Sequence, residues 1–114
     1  MHPRVRESLL DILTATDYIA RKIEPASLDE YLANEDLRSL IERNLITIGE
    51  AIVRVRDDDP ATMSRIGDFR EAIGLRDVIV HGYKNVSDAQ IWEMIGTFLP
   101  VLAVDVRRLL AEDS

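Results

Sequence analysis

The chain has 114 residues, 46% of them hydrophobic, enough for one folded domain spanning 1–114 and too few for two. It contains no cysteine, so disulfides, thiolate metal sites and cysteine nucleophiles are excluded together. Its 14 basic and 21 acidic residues give a formal net charge of −7, which argues against broad non-specific nucleic-acid binding, where basic contacts to phosphate supply most of the affinity.

A local cationic site around Arg70, Arg76 and Lys84 is compatible with that balance, and an acidic surface suits a basic protein partner. No stretch approaches the ~18–20 uninterrupted apolar residues of a membrane span. The opening Met1-His2-Pro3-Arg4-Val5-Arg6 leads into amphipathic sequence rather than a signal peptide. A soluble, cytoplasmic protein is expected.

Helical periodicity dominates. Val5, Leu9, Ile12, Thr16, Ile19 and Ile23 step by three and four, marking one face of a first helix that Pro25 stops. Ser27 reads as the N-cap of a short helix, Leu28 to Ala33, with Asp29 and Glu30 in its favoured first turn. Asn34 caps a long helix to about Arg56, on the stripe Leu37, Ile41, Leu45, Ile48, Ile52 and Val55. Asp57-Asp58-Asp59-Pro60 breaks the pattern as an exposed turn, and its adjacent carboxylates lack the alternate spacing of a calcium loop. A third long helix runs from about Ile66 through Val80, on the stripe Ile66, Phe69, Ile73, Arg76 and Val80, until Gly82 ends it. A final helix begins near Ser87 or Asp88, with Ile91, Ile95, Phe98, Leu102, Val106 and Leu109 on one face and a kink expected at Pro100. The fold class is all-α: an up-and-down helical bundle of three long helices plus short ones.

Chemistry concentrates in Arg76-Asp77-Val78-Ile79-Val80-His81-Gly82-Tyr83. An arginine that holds a phosphate and an imidazole that moves a proton are a minimal kit for cutting RNA without a metal. At about 100° per residue, Arg76 and His81 lie roughly 140° apart on a straight helix. They converge only if the helix ends near His81 or if the two meet across a subunit interface. Attack by the 2′-hydroxyl needs a base and an acid, so a ribonuclease with one well-placed histidine per chain should be a two-fold homodimer. His2, near the terminus, is a poor substitute. Blander roles exist for both residues: a histidine can simply cap a helix C-terminus, and Arg76 on a core stripe can pair with Glu50. There is no H-E-x-x-H, no glycine-rich phosphate loop and no metal-ligand spacing, and Ser8, Ser39 and Ser64 have no histidine base nearby in sequence. No cofactor or metal is expected. Trp92 is expected to pack rather than to stack a base.

Three blocks in order, Glu42-Arg43-Asn44-Leu45-Ile46-Thr47-Ile48-Gly49-Glu50-Ala51, then Gly74-Leu75-Arg76 through Tyr83, then Ile91-Trp92-Glu93, resemble the HepT-like branch of the HEPN superfamily. The resemblance covers about Glu7 to Leu110. It implies an all-helical, homodimeric, metal-independent endoribonuclease toxin, encoded beside a minimal nucleotidyltransferase antitoxin. By that resemblance Arg76 and His81 form the R-x4-H catalytic pair, and Tyr83 accepts AMP groups from the antitoxin, which silences the toxin. Asp77 departs from the asparagine of many relatives, and Asp77 and Glu50 are candidate supporting residues of the site. The alternative is a non-catalytic helical interaction module that forms a complex with a nucleotidyltransferase.

Overall fold

The computed structural model describes residues 1–67, 69–81 and 86–113. Among the described residues six helices follow one another: α1 (Pro3–Ile23), α2 (Leu28–Ala33), α3 (Glu35–Asp58), α4 (Pro60–Met63), α5 (Phe69–His81) and α6 (Asp88–Glu112). No strand occurs among the described residues. The fold is all-α, and the long helices are α1, α3 and α6, of 21, 24 and 25 residues.

Local chemistry explains most boundaries. The side chain of His2 caps α1, its Nδ1 accepting from the Arg4 amide at 3.0 Å, with Pro3 in the first turn. Ser27 caps α2 and Asn34 caps α3, each accepting from an amide three residues on. Ser87 and Gln90 close a reciprocal capping box on α6. That helix runs through Pro100 without a break.

Two expectations need correction. The aspartate run does not end α3 at Arg56, because the helix continues to Asp58 and the chain turns at Asp59 alone. Asp59 is itself a cap: it accepts from the Thr62 amide at 3.2 Å and the Thr62 hydroxyl at 2.6 Å, and Pro60 opens α4. Those bonds, the hydroxyl's first, hold its carboxyl below the usual range. An Asp-Pro pair therefore starts a helix here as much as it stops one. The second correction concerns α5, which has 13 residues and begins at Phe69 rather than Ile66. Ile66 is buried, but in the turn before the helix. The buried face of α5 is Ala72 and Leu75, whereas Phe69 and Ile73 are half-buried and Val80 is 45% exposed. The apolar stripe read from sequence is rotated from the true contact face, because the helix meets its neighbour through its small residues.

α3 lies at the centre, packed between α1 and α5, and α6 packs mainly on α1. Cross-helix pairs show that α1 and α3 run antiparallel: Arg4 meets Asp58 and Arg54 meets Asp11. α1 and α6 are antiparallel likewise, with Arg6 on Asp113 and Arg107 on Asp17. One hydrophobic cluster joins all six helices, with Val5, Leu9, Ile12, Ile41, Ile48, Ile52, Ile95 and Leu102 essentially without exposure. Trp92 packs on Tyr31, ring centroids 5.1 Å apart, as the packing expectation held.

Tyr31 is fully buried and its hydroxyl has no hydrogen-bond partner among the described residues; burial first, with Glu42 and Asp88 adding to it, pushes the phenol pKa up. Glu42 is raised as well, by burial first and then by Asp88, with Arg38 opposing. Folded Glu42 thus binds its proton more tightly than the unfolded chain does, and its charged form weakens the fold above the folded-state pKa. Glu42→Gln should raise the melting temperature at pH 7. That gain should shrink as the pH falls through the raised pKa and vanish below the ordinary glutamate value of about 4.3; thermal melts of both chains across this range check it.

Candidate active site

Arg76 stands where α5 crosses α3. A Cβ built on Gly49 of α3 would lie 2.3 Å from the Arg76 Cβ, 2.7 Å from its Cγ and 3.3 Å from the Ala72 carbonyl oxygen. Only a glycine lets the two helices approach so closely, and the stem of Arg76 lies directly on it. The Arg76 side chain is 29% exposed. Its Nη1 donates to Asp77 Oδ1 at 2.9 Å, while its Nε is enclosed with no hydrogen-bond partner among the described residues. An enclosed, unpaired donor on a charged group is unfavourable, and an oxyanion is the acceptor that would relieve it.

The partner of Arg76 is thus Asp77, its own neighbour, and not Glu50. No ion pair among the described residues joins Glu50 to Arg76. Glu50 nonetheless lines the same cavity, about 370 Å³, together with Val53, Arg54 and Arg76. Arg54 was not singled out from the sequence, because it falls outside the apolar stripe of α3 and looks like an ordinary surface arginine. The available signal was Gly49: a glycine inside a long helix marks a close crossing, and the residue one turn beyond Glu50 shares that exposed side.

His81 is the last residue of α5 and is exposed. Arg76 and His81 both lie within α5, five residues and roughly 140° apart around its axis. Tyr83, Gly82 and Lys84 lie outside the described residues. Arg70 sits in the first turn of α5 with its guanidinium 5.1 Å from the Phe69 ring centroid, and it is not among the described residues lining the Arg76 cavity. The cation beside Arg76 comes from α3 instead. A separate cavity of about 390 Å³ between α5 and α6 is lined by Glu71, Gln90, Glu93, Met94, Thr97 and Phe98, a set that would repel phosphate.

Residues 12–109 match the model of a family described as "Ribonuclease HepT-like". The chain belongs to the HepT-like ribonuclease family. Among HepT-like relatives, a Methanocaldococcus jannaschii protein named "Putative RNase MJ0125" is 25% identical over 95% of this chain and 92% of its own length. A Caldanaerobacter subterraneus protein named "Putative RNase TTE0752" is 26% identical over 96% of each. A second M. jannaschii protein, "Putative RNase MJ1216", is 25% identical over 95% of this chain and 88% of its own length. No solved structure matches the chain significantly. The family and these names support RNA cleavage as the activity, and they place the Gly49–Arg76 crossing inside the matched region.

Gly49→Ala should therefore separate α3 from α5 and shift Arg76, at a stability loss of about 1–3 kcal/mol typical of overpacking. A urea titration measures the loss. RNA cleavage by the folded fraction should fall further than the stability loss accounts for.

Proposed function

We propose that this chain is the toxin of a toxin–antitoxin pair: a homodimeric, metal-independent endoribonuclease that cuts RNA through Arg76 and His81 and is silenced when a nucleotidyltransferase antitoxin transfers AMP to Tyr83. The observation that carries the reading is the arginine whose enclosed Nε has no acceptor among the described residues, on the same helix as exposed His81, in a HepT-like ribonuclease. In the proposed reaction the RNA 2′-hydroxyl loses its proton to one imidazole and attacks the adjacent phosphorus. The O2′–P bond forms, the P–O5′ bond breaks, and a second imidazole returns a proton to the leaving O5′. One histidine per chain supplies both roles when two chains share a cleft. Arg76 neutralises the charge that grows on the non-bridging oxygens. AMP on the Tyr83 phenol would bring a bulky anion beside this site, repel RNA and occupy the arginine.

The chain expressed alone and unmodified is expected to cleave RNA in excess EDTA, and His81→Ala to reduce the rate by about 10²-fold or more, as for loss of a general acid–base. Equal cleavage by both chains would remove His81 from the mechanism.

A second reading has one specific support. The Asp77 carboxylate already holds one donor of Arg76, on a chain of net charge −7, which weakens phosphate capture and favours a non-catalytic partner of the nucleotidyltransferase. The two readings diverge at one substitution. For a nuclease, Asp77→Asn should speed cleavage several-fold, on the order of the 1 kcal/mol that one competing exposed ion pair contributes at most. A chain inactive before and after that change, with Tyr83 verified as unmodified, would be the interaction module.

A further inference from the structure

Arg54 and Arg76 reach one cavity from different helices, and each is fixed on one side only. Arg54 donates from Nε to Ser8 Oγ at 3.3 Å and from Nη2 to Asp11 Oδ2 at 3.1 Å. Ser8 is buried, so its oxygen is a stationary anchor on α1. These two bonds occupy the side-on edge of the guanidinium, and among the described residues its Nη1 has no acceptor. Arg76 is the mirror case: Nη1 is held by Asp77, and neither Nη2 nor the enclosed Nε has an acceptor there. Among the described residues lining the cavity, Glu50 is the carboxylate. Asp11 and Asp77 balance the two cations in charge, but each guanidinium keeps N–H donors beyond its carboxylate partner, and these share a cavity of about 370 Å³. Guanidiniums anchored in advance lose little side-chain freedom when they bind, which favours a planar oxyanion contact.

We propose that Arg54 is a second phosphate-binding residue, holding the phosphodiester next to the one that Arg76 holds, so that the site grips two consecutive phosphates of a single RNA strand. This rests on the reading of the Arg76 site as an RNA-cutting site. The strand is not drawn further along α1. Beyond Arg54 the next cavity, about 400 Å³, sets Glu7, Asp11 and Asp58 against Arg4 and Arg54, and Arg4 itself lies 3.8 Å from Asp58. Acidic charge bounds the track at that point. Arg54 touches no reacting atom in this arrangement; it fixes the register of the strand so that the scissile phosphate falls at Arg76.

The test measures RNA binding by the full chain carrying His81→Ala, which keeps the ligand intact. The ligands are a dinucleoside monophosphate, with one phosphodiester, and a single-stranded hexanucleotide, both followed by NMR titration. Adding Arg54→Gln should weaken the hexanucleotide roughly fivefold, as for one exposed charge contact. It should also reduce the slope of log K against log salt by about 0.7, one single-strand phosphate. The dinucleotide should bind as before. Arg54→Lys, which keeps the charge but not the planar anchor on Ser8 and Asp11, should bind the hexanucleotide with an affinity between those of Arg54 and Arg54→Gln. The proposal is overturned if Arg54→Gln leaves the hexanucleotide unaffected, if it weakens both ligands equally, or if Arg54→Lys is as weak as Arg54→Gln. In those cases Arg76→Gln still lowers affinity for both ligands, and the RNA-site reading stands. If the His81→Ala chain binds neither ligand, both fall together.

Discussion

The contact between α3 and α5 at Gly49 governs the site. At 2.3 Å from a hypothetical Cβ, the Arg76 stem leaves no room for any side chain at position 49. The absence of one methyl group lets two helices pack backbone to side chain and sets the guanidinium at the lip of a cavity instead of out in solvent. Ala72, the other small residue at this crossing, contributes its carbonyl at 3.3 Å from that same point. Because interiors are packed to near-crystalline density, such a crossing has few alternative arrangements. Arg76 is thus placed by the core, although it is a polar residue.

Electrostatics then decide what the site can do. The chain is acidic overall, and several of its arginines are tied to carboxylates: Arg54 to Asp11, Arg65 to Glu112, Arg107 to Asp17 and Arg76 to Asp77. Most of these pairs are exposed and contribute little to stability. Their larger effect is to quench positive potential over the surface, so that phosphate affinity is confined to places where donors remain after pairing. The cavity bearing Arg54 and Arg76 is such a place, and its selectivity follows from geometry more than from net charge.

Much of the helical scaffold was legible in the chain. Ser27 and Asn34 begin their helices where their cap chemistry says they should, and Leu28–Ala33 is bounded as expected. These signals act over three or four residues, within reach of sequence. The stripes of α1, α3 and α6 were legible for a related reason: long helices with one strongly apolar face have one way to bury it. The reading failed where a boundary or face depends on something outside the segment. Asp59-Pro60 looked like a stop and is also a start, since a cap needs a following helix to act on. In α5 the burial of Ala72 and Leu75 in place of Val80 follows from a neighbouring glycine more than twenty residues earlier.

Sequence by itself determined that the chain is helical, where α2, α3 and α6 start, that it lacks cysteine chemistry, and which family its motif blocks resemble. All of these depend on local spacing or on the order of residues. Tertiary structure decided that Arg76 pairs with Asp77 and not Glu50, and that Arg54 rather than Arg70 stands beside it. It also gave His2 a capping role on α1 and buried the Tyr31 hydroxyl in the core with no partner among the described residues. Side-chain partners are chosen by the rotation of one helix against another, and that rotation is set by which small residues touch, a quantity that no single segment of sequence contains.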